Sequence, residues 1–433
     1  MKHIYLDNAA TTPVAKEVVD IVNEVNSKYF GNPSSIHSIG QEAKRIIDDG
    51  RRFVSFFVGC EPEEIIFTSG GSESDNLAIR GLIASVIANE VWQFPKKIAS
   101  SSKTPRNDSI KPHVITSMME HHAVLHTIQD LEKEGKIEAT YIKPDNKGIV
   151  SADSIKEAIR DNTILISIIY VNNETGVVSP IREIGLEIAK IQDTRDKSGL
   201  GKIYFHTDAV QAAEFFEISP EYLKVDLLTF TAHKLHGPKG IGVLYAKKGV
   251  PLNPQITGGG QEFRRRAGTE NISGIAGLSK ALDLILKERS GTKNLIGDDL
   301  LPELKASAEA KRLIALRDKI VSKIEKDIPK VVLNASRERR APHIVNISFI
   351  NAEGEAIVLN LDFLGIAVSS GSACTSRSLE PSHVLSAMGV LPEKAHGSIR
   401  FSLSRYTTEE EIDKLLEVLP PIIEKLRAMS PLK

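Results

Sequence analysis

Cysteine is nearly absent. Only Cys60 and Cys374 occur in 433 residues, which excludes a disulfide framework and leaves reduced thiols as the default state. A surplus of one charge is missing too: 55 Lys+Arg against 56 Asp+Glu leaves a formal net charge of -1. There is no electrostatic case for a nucleic-acid or membrane partner, and a small substrate or a protein partner is expected instead. No apolar run approaches the length of a membrane span, and the opening MKHIYLDNAATTP lacks a basic region followed by an apolar core, so a cytoplasmic protein is expected. Internal repeats are absent as well. The chain is long enough for two or three domains.

What is present centres on Lys234. The apolar run Val225, Leu227, Leu228, Phe230 leads into Thr231-Ala232-His233-Lys234, and Gly237-Pro238-Lys239-Gly240 turns the chain into a second apolar run, Ile241 to Tyr245. Two buried strands thus present one lysine at their junction. Lost hydration there favours the neutral amine, which can attack an aldehyde, so a covalently held carbonyl cofactor is the first hypothesis. A surface lysine in a turn is the plainer alternative.

The stretch Glu64 to Thr68 reads as a short strand, followed by Ser69-Gly70-Gly71-Ser72 and a helix from about Asp75 to Asn89. Glycines, a hydroxyl and free amides at a helix start suit a phosphate, although Ser72 as an ordinary cap is an equal alternative. A phosphate site together with a Schiff-base lysine suggests pyridoxal 5'-phosphate. Strand ends supply further candidates: His121 after Val114 to Met118, Asn172-Asn173 after Thr163 to Val171, and Asp208, which closes a strand in the stretch Lys202 to Gln211. A buried Asp208 calls for a partner, and a pyridinium N–H is the one it fits; a protonated ring is the electron sink of pyridoxal chemistry. His122 and His126 have i,i+4 spacing but lack a third ligand nearby, and are read as a solvated helix face.

Alternating strands and helices from Ile65 to Ala246 predict an α/β fold with a mostly parallel sheet covered on both faces. The expected division is a large cofactor-binding domain over 14–285, and a smaller α+β domain formed by 1–13 and 286–433. Helices are predicted over Lys16 to Tyr29, about Ile39 to Val58, Ile181 to Gln192, Asn271 to Lys287, Leu313 to Ile328 and Glu409 to Met429, with loops over Trp92 to Pro112 and Ser290 to Lys311. Arg264, Arg265 and Arg266 are either solvent-exposed or meet a phosphate. Cys60 sits among apolar neighbours and reads as packing, whereas Cys374 lies in the small, polar stretch Ser369 to Ser376, where no core can bury a thiol.

In order along the chain, Tyr5-Leu6-Asp7-Asn8-Ala9-Ala10-Thr11-Thr12, Gly31-Asn32-Pro33-Ser34-Ser35, Thr68-Ser69-Gly70, Glu120-His121, Val171-Asn172-Asn173-Glu174, Asp208 with Gln211, His233-Lys234, Arg266 through Thr269, Ser369 through Ser376 and Ser398 through Ser402 resemble the cysteine desulfurases of the NifS/IscS type. These belong to the class V aminotransferase group of fold type I pyridoxal enzymes. The resemblance implies that Lys234 holds the cofactor and moves the substrate Cα proton, that His121 stacks on the ring and assists, that Asp208 pairs with the ring nitrogen, and that Gln211 bonds the ring hydroxyl. It further implies that Gly71, Ser72, Thr231 and His233 hold the phosphate together with Thr269 from a second subunit, hence a homodimer. Asn173 and Arg400 would fix the substrate carboxylate. Cys374 would be the nucleophile, taking sulfur from L-cysteine as a persulfide, leaving L-alanine, and passing the sulfur to an acceptor protein for iron–sulfur cluster assembly or thiolation. No metal is implied.

Two departures are small: Gly71-Ser72 and Thr231-Ala232 stand where Ala-Thr and Ser-Gly are common, and both keep a hydroxyl. The chain also stops soon after its last helix, without the longer tail of scaffold-binding members. A selenocysteine lyase or aminotransferase of the same fold, and a non-catalytic sulfur-transfer subunit, remain as alternatives at this stage.

Overall fold

The structure is a computed structural model and describes residues 3–88, 111–290, 301–305, 307–371 and 381–430. Thirteen strands are assigned among them. They are β1 (Ile4–Tyr5), β2 (Ile65–Thr68), β3 (His113–Ser117), β4 (Glu138–Ile142), β5 (Thr163–Ser167), β6 (Tyr204–Asp208), β7 (Leu227–Thr231), β8 (Gly242–Ala246), β9 (Val331–Leu333), β10 (Ile344–Phe349), β11 (Ile366–Ala367), β12 (Ser369–Ser370) and β13 (Ser398–Ser402).

Seven of these form one sheet in the order β2-β8-β7-β6-β5-β3-β4. All neighbours are parallel except β8, which runs against both β2 and β7. The inner strands β3, β5, β7 and β8 are buried at every residue, the signature of a sheet covered on both faces. The expected α/β fold with a mostly parallel sheet is thus present. Because six strands point the same way, their C-terminal ends share one edge, and Thr68, Ser117, Asp208 and Thr231 all lie there. Loops leaving that edge carry the site.

Helices Lys16–Lys28 and Ser38–Val58 pack on Ile272–Ser290. Gly50 permits the close crossing, since a Cβ there would stand 2.5 Å from Ile275 Cγ2. A second, antiparallel sheet has the order β12-β13-β10-β9, and the short β1 pairs in parallel with β11, so the N-terminal segment is knitted to the C-terminal third. The last helix is Glu409–Met429, as predicted, opened by a capping box between Thr408 and Glu411. Among the described residues no helix is long and apolar enough to cross a membrane.

Several predicted boundaries move. The helix expected from Asp75 starts at Gly71, and Ser74 N–H already bonds to Gly70 O at 3.1 Å. Ser72 therefore sits inside the first turn and does not cap it. Strand β5 ends at Ser167, although Ile168 and Tyr170 still donate to His206 O and Asp208 O. The helix expected to stop at Gln192 runs to Ser198, because Arg195, instead of facing water, buries its guanidinium against the carbonyls of Arg160, Asp161, Thr163 and Gly201. The helix expected from Leu313 starts at Ala308, where Ser307 caps it by accepting from Ala310 N–H. The predicted loop Trp92 to Pro112 lies largely outside the described residues, as does much of Ser290 to Lys311.

Candidate active site

At the C-terminal edge of the large sheet lies a cavity of about 330 Å³, lined by Gly71, Ser72, His121, Asn173, Asp208, Gln211, Thr231, His233, Lys234 and Arg400. Each was singled out in the sequence. Their convergence follows from topology: Lys234 ends the short turn after β7, Asp208 closes β6, His121 caps the helix after β3, and Arg400 reaches across from β13 of the other sheet. Thr269 is exposed and lines a separate hollow of about 140 Å³ beside Thr68 and Arg266. Cys374 lies outside the described residues.

Half-buried Lys234 is fixed by Nζ donating to Ala9 O (2.5 Å) and Ala10 O (2.6 Å), which brings the N-terminal segment over the cavity. Gln211 Nε2 binds Ala9 O as well, at 2.9 Å. Asp208 is buried, and Val210 N–H donates to its Oδ1 at 2.9 Å. Burial raises its acid to about 6, opposed by that amide and by Lys234. His121 accepts from Ala123 N–H at Nδ1, so Nε2 is the nitrogen left to carry hydrogen. Burial and then the Lys234 charge push its imidazole down to about 4, and the ring is neutral at pH 7.

Arg400 is 2% exposed. It donates from Nη2 to Asp7 Oδ1 (2.7 Å) and from Nη1 to Asn173 O (2.9 Å), while Nε, also buried, has no hydrogen-bond partner among the described residues. A buried donor without an acceptor is costly, and a bound carboxylate would satisfy it. Asn173 is presented by an Asx turn in which Asn172 Oδ1 accepts from Glu174 N–H and from Thr175 N–H.

The arginine cluster resolves into three fates. Arg264 is exposed, Arg265 is half-buried, and Arg266 pairs with Glu73 at 2.9 Å, steadying the first turn that presents Ser72. Burial pushes the Cys60 thiol up to about 12, consistent with a packing role. Of the pair read as a solvated helix face, His126 is exposed and His122 is half-buried. Their rings stack at 4.4 Å with planes 16° apart, and His383 from the second sheet's side lies 4.6 Å from His122. Stacked rings aim their in-plane lone pairs side by side, not at one point. Asp75 was missed: it lines the cavity and is 1% exposed, and its place one turn past Gly71 and Ser72 was the signal that could have found it.

Comparison with known proteins identifies the family. Residues 4–91 and 102–415 match the family model Aminotransferase class-V. The chain belongs to the class-V aminotransferase family. A cysteine desulfurase IscS of Dictyoglomus turgidum is 45% identical over 432 residues, covering 100% of this chain and 97% of that protein. A solved NifS-like protein superposes with a TM-score of 0.81 at 32% identity, covering 98% and 100% of the two chains. SspA, solved in complex with cysteine, superposes at 0.73 with 33% identity, covering 94% and 100%.

Class-V aminotransferases generally depend on pyridoxal 5'-phosphate, and the residues here fit that group. Lys234 provides the amine and Asp208 a buried acid. The helix from Gly71 opens without a side-chain cap among the described residues, which leaves its first amides and the Ser72 hydroxyl for a phosphate. A Cβ on Gly71 would stand 3.0 Å from Val210 Cγ2 and crowd the cavity wall.

Proposed function

We propose that this chain is a pyridoxal 5'-phosphate-dependent cysteine desulfurase that converts L-cysteine to L-alanine and carries the sulfur on Cys374 as a persulfide. The observation that carries this reading is the convergence of Lys234, Asp208, neutral His121 and Arg400, whose buried Nε has no partner among the described residues, on one cavity. Bound pyridoxal phosphate supplies the electron sink that acidifies the Cα proton of the amino acid.

The protein's own groups do the rest. Gly71, Ser72, Thr231 and His233 hold the phosphate, Asp208 faces the ring nitrogen, Gln211 the ring hydroxyl, and His121 the ring face. Arg400 and Asn173 bind the substrate carboxylate and so aim the Cα–H bond. Lys234 accepts that proton and serves as the group that returns one. The Cys374 thiolate attacks the substrate sulfur: an S–S bond forms, the Cβ–S bond breaks, and the released electron pair is protonated to leave alanine. No outside oxidant enters: each sulfur gives up one electron, and the pair goes to the substrate Cβ, which becomes the methyl group of alanine.

Thr269, exposed and apart from the cavity, serves the phosphate site of a second copy in this reading, which makes the enzyme a homodimer. The sulfur passes to an acceptor protein for iron–sulfur cluster assembly or thiolation, in the cytoplasm, where thiols stay reduced. The division into 14–285, and 1–13 with 286–433, belongs to the same proposal and is supported by the pairing of β1 with β11.

The test is release of alanine and sulfide from L-cysteine plus a mild thiol. The parent should form both in equal amounts and Cys374→Ser neither. Pyruvate from the parent, or full activity in the variant, would overturn the assignment.

A further inference from the structure

Asp75 is a second carboxyl in the cavity wall that the reaction above does not use. One oxygen or nitrogen atom each from Asp75, His121 and Asp208 lie within 4.8 Å of one another. The groups facing Asp75 are Asp208 and His206 from β6, Thr229 from β7, and Glu120 with His121 from the loop after β3. None of them is a cation able to neutralise it. His206 Nε2 stands 3.6 Å from Asp75 Oδ1, beyond a hydrogen bond, and burial alone pushes its imidazole down to about 3. Glu120 is itself raised to about 8 by burial and supplies no counter-charge, while the charge of Asp208 only opposes ionisation of Asp75.

Asp75 Oδ1 is buried with no partner among the described residues. The same carboxyl meets Thr229, a contact that by itself favours the carboxylate but is outweighed by burial. A carboxylate with a bare buried oxygen is far costlier than a neutral acid whose carbonyl oxygen is bare. Thr229 Oγ1 lies 3.2 Å from His206 Nε2, and His206 Nδ1 lies 2.8 Å from Ser167 Oγ. With a proton on Asp75 the chain runs Asp75, Thr229, His206, Ser167, each member donating to the next; an ionised Asp75 would run it in reverse.

We propose that Asp75 is a positioning residue for the cofactor's ring nitrogen: it keeps its proton, donates it to Thr229, and leaves Asp208 as the only carboxylate facing the ring. The inference rests on the pyridoxal phosphate reading. Two ionised carboxylates so close together would repel, and the ring partner would then be shared between two charges; one neutral acid removes that ambiguity.

The test uses full-length holoenzyme. Infrared difference spectra at pH 7 between the parent and Asp75→Asn should show one protonated-carboxyl band lost in the variant. The pH midpoint of the bound cofactor's visible absorption should stay within about 0.3 unit of the parent, since asparagine mimics the neutral acid. Asp75→Ala, which breaks the contact with Thr229, should weaken pyridoxal phosphate binding about tenfold. Absence of the band, or a midpoint shift above about one unit in Asp75→Asn, would mean that a charge was removed and would overturn the proposal. So would undiminished cofactor affinity in Asp75→Ala. If the alanine variant fails to fold, the asparagine spectra decide alone. A parent that takes up no pyridoxal phosphate sinks the functional reading and this inference together, whereas the other adverse outcomes sink this inference only.

Discussion

Two buried arginines hold the same loop, residues 172–177, and they do so differently. Arg340 is 4% exposed and gives its donors to backbone carbonyls: Nε to Ser336, Nη1 to Thr175 at 3.1 Å, Nη2 to Asn334. Burial, then the nearby charges of Arg317 and Arg337, push its guanidinium down to about 9. Arg400 holds Asn173 O, pairs with Asp7 and keeps Nε unpartnered among the described residues. A fully satisfied guanidinium is a structural rivet, whereas one buried with a donor to spare is built for a ligand. The contrast separates stability from function within a few residues of chain.

The largest effect should fall on Arg400. Arg400→Lys loses the fork, and kcat/KM for L-cysteine should drop about 10²–10³-fold, roughly 3–4 kcal/mol, with little change in thermal midpoint. An activity within threefold of the parent would erase the distinction. Arg340→Met should do the reverse: the stranded carbonyls should cost about 2–4 kcal/mol in denaturant unfolding, while the KM of whatever folds stays near the parent's.

Glu174 sits between the two anchors and sharpens the comparison through pH. Burial raises it to about 7, opposed by Ser382, whose hydroxyl donates to Oε2 at 2.5 Å, and by Arg400. The folded acid holds its proton to higher pH than the unfolded one. Its contribution to stability is therefore complete below about pH 4.5 and lost as pH rises through about 7. Glu174→Gln should remove that loss, about 2 kcal/mol, from the difference in unfolding free energy between pH 5 and pH 8. An unchanged pH slope would show that the carboxyl is ionised in the fold.

The smallest effect lies away from both anchors. Glu262, Phe263 and Arg264 take consecutive positive φ angles of 45°, 57° and 64°. Buried Glu262 is held there by Arg51, with contacts of 2.7 and 2.8 Å, but exposed Arg264 has no such tie among the described residues. Arg264→Gly should raise stability by about 0.5–1 kcal/mol, read as a higher thermal midpoint with no change in cofactor uptake.

Much of the site was legible because its residues are polar groups placed where apolar runs stop. Lys234, Asp208, His121 and Asn173 all follow strands, and in a parallel sheet strand ends share an edge. Asp75 was missed, because its burial depends on a helix that starts four residues earlier than expected. Arg340 was invisible for a related reason: within Arg337-Glu338-Arg339-Arg340 it reads as a solvated charge run, and only the carbonyls of 334–336 and 175, brought together by the second sheet, make burial affordable. Strand β4 and helices Ala152–Ala158 and Gly354–Phe363 escaped notice because they are short or weakly patterned.

By itself the sequence determined the element types, the direction of the sheet and the chemistry available at its edge, since periodicity and strand-end polarity are local properties. Only the tertiary structure decided which groups are charged and which are neutral. That burial raises the Asp208 acid, that the His121 ring is pushed to its neutral form and that Arg400 Nε has no partner among the described residues all follow from burial and from partners far away in the chain, and neither can be read along it.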